Sequence, residues 1–225
     1  MRILVAPDKF KGSLGAEEVA ENIAVGLRSV LPNATIDVIP IADGGEGTAA
    51  VICRATAGEW VTCNSCDALG RPIEARYAWI PSSAIAVMEI SEAAGLWRLA
   101  PNEKNPSRAD TAGVGLMLQD ASRRGAKEII VGLGGSATND GGFAMARTLG
   151  YRFLDHKRDE LSQSVLDLIN LEHCVPPTEF ILPRITIAAD VRNLLLGRRG
   201  ATHTFGRQKG VAADQLDRFE AALNR

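Results

Sequence analysis

Apolar and polar positions change period repeatedly along the chain, alternating short β-rich runs with helical ones. "RILVAP" (2–7) is an apolar strand followed by the polar loop "DKFKGSL", and "GAEEVAENIAVGLRSVL" (15–31) then carries its apolar residues at helical spacing. "TIDVIPI" (35–41) repeats the strand, leading through "ADGGEGT" into the helix "AAVICRAT". Two successive strand–loop–helix units read as half of a doubly wound parallel sheet. From about Trp60 to Leu99 the pattern becomes a meander: "EWVTCNSC", "IEARYAWI" and "AIAVMEI" are strands joined by turns such as "ALGRP". A helix is expected over "SRADTAGVGLMLQDASRRG" (107–125), then a buried strand "KEIIVGL", then "YRFLD". "HKRDELSQSVLDLINLEHCVPPTEF" (156–180) reads as part helix, part linker; "RITIAAD" is a strand and "AADQLDRFEAALNR" a last helix. The class is α/β.

One regularity points to a site. Four strands end on a carboxylate or a glycine-rich turn: Asp8, Asp43, Gly132–Gly135 and Asp190. Ligands of α/β proteins gather at the carboxyl ends of strands. A single Asp there is as readily a helix N-cap; together they are expected to converge.

Composition narrows the class. The 225 residues carry a net charge of −2 and no basic block, which argues against a nucleic-acid partner. No apolar run approaches a membrane span, and the chain starts directly in a strand, so a cytoplasmic, soluble protein is expected. Cys53, Cys63, Cys66 and Cys174 form no disulfide framework; "CNSC" has metal-like spacing but no second pair, and His156, His173 and His203 stand apart.

The chemistry concentrates in "IIVGLGGSATNDGGFAMARTLG" (129–150). "GLGGSA" fits the dinucleotide fingerprint G-x-G-x-x-A, with Asp155 downstream, so a nicotinamide-dependent dehydrogenase competes. That motif needs its helix to begin within the glycines, whereas Gly141 and Gly142 would each cost about 1 kcal/mol in a helix interior. A phosphate-holding loop fits better: the amides of Gly134, Gly135 and Gly141 can turn to an anion, Ser136 and Thr138 add hydroxyls, and Asn139 adds an amide. The following helix presents its positive end. Asp140 would repel phosphate unless a cation intervened, which makes it the magnesium-side candidate. Asp43 and Glu46, three apart in a glycine loop, can reach one point and hold a metal or a substrate hydroxyl. Asp8 beside Lys9 and Lys11 suits a carboxylated substrate and its reacting hydroxyl, with solvated surface lysines as the alternative. Lys209 in "FGRQKG" is a further phosphate contact. Neither a Walker loop nor protein-kinase motifs are present.

Taken in order, "APDKFKGSL", "ADGGEGT", "DALGRPIEARY", "GLGGSATNDGG" and "AADVRNLLLG…GATHTFGRQKG" resemble the type I glycerate kinase family from residue 1 nearly to 225. The resemblance implies ATP- and Mg2+-dependent phosphorylation of D-glycerate, in bacterial members usually at the 2-hydroxyl, in glyoxylate or sugar-acid use. It implies two α/β domains with the active site in the cleft between them. Residues 1–59 would be the first part of a Rossmann/flavodoxin-like parallel-sheet domain, and 60–225 a second, mixed-sheet α/β domain carrying the GGSATNDGG loop. Asp190 or Asp8 would orient or deprotonate the hydroxyl and Lys11 pair with the carboxylate; Asp43, Glu46, Asn193 and Lys209 fall on the substrate side. The sequence departs from the family's pattern at Lys9 (usually serine), Leu194 and Arg207 (usually proline), and lacks a glycine-rich insert after "FLD". Family members continue well beyond the "QKG" helix, with an "ITGEGR"-like motif and the strands that complete the first domain. The first sheet is therefore expected to be incomplete, with an open edge prone to self-association. The competing reading is a non-catalytic remnant that binds a small organic acid or nucleotide.

Overall fold

The computed structural model describes residues 1–10, 12–179 and 182–225. Strands β1 (Arg2–Val5) and β2 (Thr35–Val38) pair in parallel, connected by helix α1 (Ala16–Val30). The helix buries Val19, Ala20 and Ala24, and the Glu18 carboxylate accepts the Gly15 amide at its start (3.1 Å). Among the described residues the pair has no further strand, and Leu4 and Ile39 stay 61% and 57% exposed.

Helix α2 (Thr48–Ala55) leads into strands β3 (Glu59–Cys66), β4 (Pro72–Ile80) and β5 (Ile85–Glu89), the expected antiparallel meander. Alternation along β3 turns Val61, Cys63 and Ser65 inward and Trp60, Thr62 and Asn64 outward. After α3 (Ile90–Ala94) and α4 (Ala112–Arg123), β6 (Glu128–Gly132) lies parallel to β5. Helix α5 (Phe143–Thr148) follows, then the small antiparallel hairpin β7 (Arg152–Leu154) and β8 (His173–Val175). β9 (Arg184–Ala188) completes the sheet in the order β3-β4-β5-β6-β9. The chain closes with α6 (Ala201–Phe205) and α7 (Leu216–Leu223).

Both faces of this mixed sheet are covered, which is why β6 reads as an unbroken apolar run. Ile129 and Val131 join the main core with Met88, Tyr77 and, from α4, Val114, Met117, Leu118 and Ala121. On the other face Ala49 and Cys53 of α2 pack against Ala78, Ile80 and Val87. The second strand–helix unit therefore spans the two sheets: its strand sits with β1 and its helix on the meander. A third cluster packs α7, through Leu216, Phe219 and Ala222, on Val165 and Leu168 of a 3₁₀ turn (Val165–Asn170) and on Phe143.

Three departures have local causes. α4 begins at Ala112 rather than Ser107, because Asn105 and Asp110 accept the Ser107 and Ala112 amides (3.2 and 2.9 Å), side-chain turns that compete with helix. α3 and α6 are five residues each, too short to show a period. β8 is fully exposed and carries no alternation of burial.

Gly113 sets how closely α4 lies on β3. A β-carbon there would collide with the Cys66 carbonyl and fall 2.9 Å from Ser65 Oγ. Gly113→Ala is expected to destabilise the fold by about 3 kcal/mol. Urea unfolding checks this, and a loss below about 1 kcal/mol would show that the helix can lift away.

Candidate active site

The register of β5, β6 and β9 places Glu89 beside Gly132 and Gly132 beside Ala188, so three parallel strands end together on one edge. The loops that follow β1 and β2 meet that edge. The Gly134 amide donates to the Gly44 carbonyl (3.3 Å), and the Leu133 amide to the carbonyl of Ala188 (3.1 Å), just ahead of Asp190. The expected convergence of the 43–48, 132–142 and 188–190 loops is observed, and it explains some of the glycines. A β-carbon on Gly134 would strike the Gly45 α-carbon, and one on Gly44 (φ +91°) would lie 2.7 Å from the Ala188 carbonyl oxygen. These residues are glycine because backbone meets backbone.

Within the 133–142 loop the partners divide into those that hold it and those left facing outward. Asp140 is buried. Its Oδ2 accepts from the Thr111 hydroxyl (2.7 Å), the Thr111 amide (3.1 Å) and the Ala144 amide (3.3 Å), and its Oδ1 from the Gly142 amide (3.2 Å). This carboxylate, expected on the magnesium side, is instead occupied in tying the loop to the start of α4 and α5. Asn139, also buried, donates to Thr202 Oγ1 (3.0 Å) and so fixes α6 rather than facing a ligand. The loop is further pinned where the Leu96 amide donates to the Gly135 carbonyl (2.9 Å) and the Ala137 amide to that of Ala94 (2.7 Å). Among the described residues no acceptor serves the amides of Gly135, Ser136 and Thr138. Lys209 reaches this stretch from the turn after α6, donating to Ser136 Oγ (2.8 Å) and the Thr138 carbonyl (2.5 Å). Burial lowers its pKa to about 8, against the pull of the Asp140 charge. α5 begins only at Phe143, with Gly141 and Gly142 both at positive φ, a loop longer than the dinucleotide fingerprint allows.

Facing this loop, Lys9 lies between Asp43 (3.0 Å) and Asp8 (3.7 Å), a role the surface-charge alternative did not give it. Its desolvation is outweighed by the Asp43 bond and the nearby carboxylates, so its pKa is raised. Asp43 is held low by the Gly45 amide first and Lys9 second. Thr48, buried, accepts the Gly44 amide (3.1 Å) and donates to the Gly45 carbonyl (2.7 Å), closing the turn. Glu46 is exposed and turns its carboxylate toward Gly135, where a β-carbon would collide with it. Asp190 is exposed just beyond β9. Asn193 donates to the Arg199 carbonyl (2.8 Å) and Thr204 Oγ1 (3.2 Å), bracing its own loop. Lys11 lies outside the described residues.

Glu89 and Thr111 escaped the sequence reading. Glu89 ends β5, whereas Asp8, Asp43 and Asp190 lie in the loops after β1, β2 and β9, so the same strand-end rule reaches it; the meander pattern hid that β5 runs parallel to β6. Buried at the start of α2, it accepts the Ala49 amide (2.8 Å), and burial raises its pKa against that bond. The thiols form no centre: Cys63 is buried and pushed up to about 11, chiefly by desolvation, and no cluster of His, Cys, Asp or Glu suited to a metal occurs among the described residues. No helix among the described residues is long and apolar enough to cross a membrane.

A polar glycine loop, a lysine and several carboxylates on one strand edge of a mixed sheet define the class as α/β with a polar site at the carboxyl ends of its strands. The chain belongs to the glycerate kinase family, whose sequence model matches residues 3–225. It is 39% identical over 220 residues to a glycerate kinase of Bacillus subtilis (strain 168), a match covering 96% of this chain and 58% of the relative. With the glycerate 2-kinase of Escherichia coli (strain K12) it shares 36% identity over 233 residues, covering 100% of this chain and 60% of the relative. A crystal structure of a candidate glycerate kinase 2 from Salmonella typhimurium LT2 superposes with a TM-score of 0.85 at 36% identity, covering all of this chain and 61% of that one. The chain thus spans about six-tenths of the length of these relatives.

If Asp140 anchors the loop, Asp140→Ala strands three backbone amides and the Thr111 hydroxyl, at a cost of about 3 kcal/mol. Asp140→Asn keeps an acceptor and is expected to lose about half as much. Equal urea midpoints for Asp140→Ala and wild type would remove the anchor role.

Proposed function

We propose that this chain carries the catalytic loops of an ATP-dependent D-glycerate kinase, with the site between the β1/β2 loops and the carboxyl edge of the mixed sheet. The observation that carries the reading is Lys209 held on Ser136 and Thr138 beside amides that have no acceptor among the described residues. A polyphosphate needs such a cradle: inward amides, hydroxyls and one cation. Phosphoryl transfer asks little more of a protein than positioning and charge neutralisation. A magnesium ion at this site would supply positive charge to offset that of the phosphates. With Asp140 engaged by Thr111, Gly142 and Ala144, Glu46 beside Gly135 is the carboxylate that fits the ion, since Mg2+ takes one or two carboxylates along with phosphates.

Asp190, exposed where β9 points at the junction of the loops, orients and deprotonates the acceptor hydroxyl; Asp8 serves less well because Lys9 sits against it. Lys9 and Lys11 place positive charge on the β1 loop for the glycerate carboxylate. The relative named glycerate 2-kinase supports transfer to the 2-hydroxyl, giving 2-phosphoglycerate. A second reading is binding of a small organic acid or nucleotide without transfer.

ADP release by the chain with Mg2+, ATP and D-glycerate tests the reading. Glycerate-dependent release should fall about 100-fold in Lys209→Met, the scale for losing one group that stabilises transition-state charge, and to background in Asp190→Asn. Release independent of both residues refutes these roles, and ATP binding without release supports the second reading. With a pKa near 8, Lys209 loses its charge as pH rises through 8, so the rate should decline above that point and Lys209→Arg should abolish the decline. The effect on stability has the opposite sign. Between about 8 and the ordinary 10.5 the unfolded chain keeps a proton the folded chain has lost, so the contribution of Lys209 to stability rises with pH.

A further inference from the structure

A second hollow adjoins the glycine loop. It encloses about 240 Å³ and is lined by Glu46, Trp60, Arg76, Glu89, Glu92 and Trp97, among others. We propose that it seats a purine nucleoside, the base-and-ribose end of the phosphoryl donor. This rests on the kinase reading above and extends it to a part of the donor that the phosphate cradle cannot recognise.

The walls define the ligand by exclusion. Three carboxylates line the hollow against one guanidinium, and Arg76 is already engaged with Glu92 (3.4 Å). A phosphate or a glycerate carboxylate would be repelled, whereas a neutral group rich in N–H and O–H donors would be held. The aromatic walls ask for a flat partner. Trp60 and Trp97 are 42% and 58% exposed, large apolar surfaces left beside a cavity. Neither indole is loose. The Arg76 guanidinium stands 4.5 Å from the Trp60 ring centroid and that of Arg98 4.3 Å from the Trp97 ring. Glu92 links the two arginines, and the Trp97 indole N–H donates to the Ser91 carbonyl (3.0 Å). Rigid indoles held before a ligand arrives are suited to stacking, which binds any base through its π-face. The hollow is open to solvent and smaller than the roughly 300–1,000 Å³ of sites for drug-sized ligands, which suits one end of a donor rather than the whole of it.

Position joins the hollow to the cradle. Glu46 belongs to both, lining one and facing Gly135 of the other. Gly95, two residues before Trp97, bridges to Ser136. A nucleoside in this hollow would therefore lie next to the loop proposed to hold phosphate, within reach of a donor whose 5′ end turns toward it.

Calorimetry with three probes separates the parts: adenosine, which has no phosphate; tripolyphosphate, which has no base; and Mg-ATP. Trp60→Ala and Trp97→Ala should each weaken adenosine and Mg-ATP about tenfold, the scale of one lost base stack, while leaving tripolyphosphate unchanged. The unchanged tripolyphosphate value shows the fold and cradle intact, and Trp97→Phe, which keeps a π-face, should restore most of the affinity. Wild-type chain that fails to bind adenosine, or Mg-ATP binding indifferent to both tryptophans yet sensitive to Lys209→Met, overturns the nucleoside site and leaves the kinase reading standing. Tryptophan-dependent adenosine binding without any glycerate-dependent ADP release keeps the nucleoside site and rejects the kinase reading.

Discussion

The β1, β2 and mixed-sheet loops can form one site only because their backbones touch. Gly134 lies against Gly45, Gly44 lies under the Ala188 carbonyl, and the Gly134 amide donates to Gly44. A side chain at either contact would hold the loops apart by more than the neighbours can yield. Everything proposed for function follows from that approach: it brings Lys9, Asp8 and Asp43 to face the 133–142 loop, and Glu46 to Gly135. Here glycine serves close packing first and anion contact second, and the two uses fall on different residues. Gly134 and Gly44 hold the loops together, while Gly135 and its neighbours present amides.

Charge is arranged around this scaffold with a clear division. Asp140 spends its carboxylate on Thr111, Gly142 and Ala144, fixing the loop's shape. Lys209 supplies the buried cation on one side, and Lys9, flanked by two aspartates, the cation on the other. Asp43 is exposed but held by Lys9, whereas Glu46 and Asp190 are exposed without an ion pair among the described residues, which leaves them to meet a ligand or an ion. A core of apolar residues beneath α7 backs the far end of the loop through Phe143, so loop shape and C-terminal packing are coupled.

Much of this was legible from the residues. Alternation in "EWVTCNSC", the i, i+3, i+4, i+7 face of α4 and the unbroken run of β6 fix strands, helix and buried strand from local pattern alone. The rule that ligand loops follow strand ends located Asp8, Asp43, Asp190 and the glycine loop. It missed Glu89 because a strand's direction within a mixed sheet depends on partners remote in sequence. The tethering of Asp140 and Asn139 was not legible, because polarity in a loop says nothing about which way a side chain turns. Burial decides that, and it comes from Thr111 and Thr202, which lie 29 and 63 residues away in the chain. Lys9, ambiguous in sequence, acquired its place only when the β2 loop brought Asp43 to it. The tryptophan-lined hollow had no signature at all, since Trp60 and Trp97 come from separate elements.

The most direct test of the central claim, that the amides of the glycine loop hold the phosphates of the donor, is amide hydrogen exchange across 133–142 with and without Mg-ATP. Bound nucleotide is predicted to slow exchange at Gly135, Ser136 and Thr138 while amides within α7 exchange as before. Protection elsewhere, with these three amides unchanged at saturating nucleotide, would contradict the account.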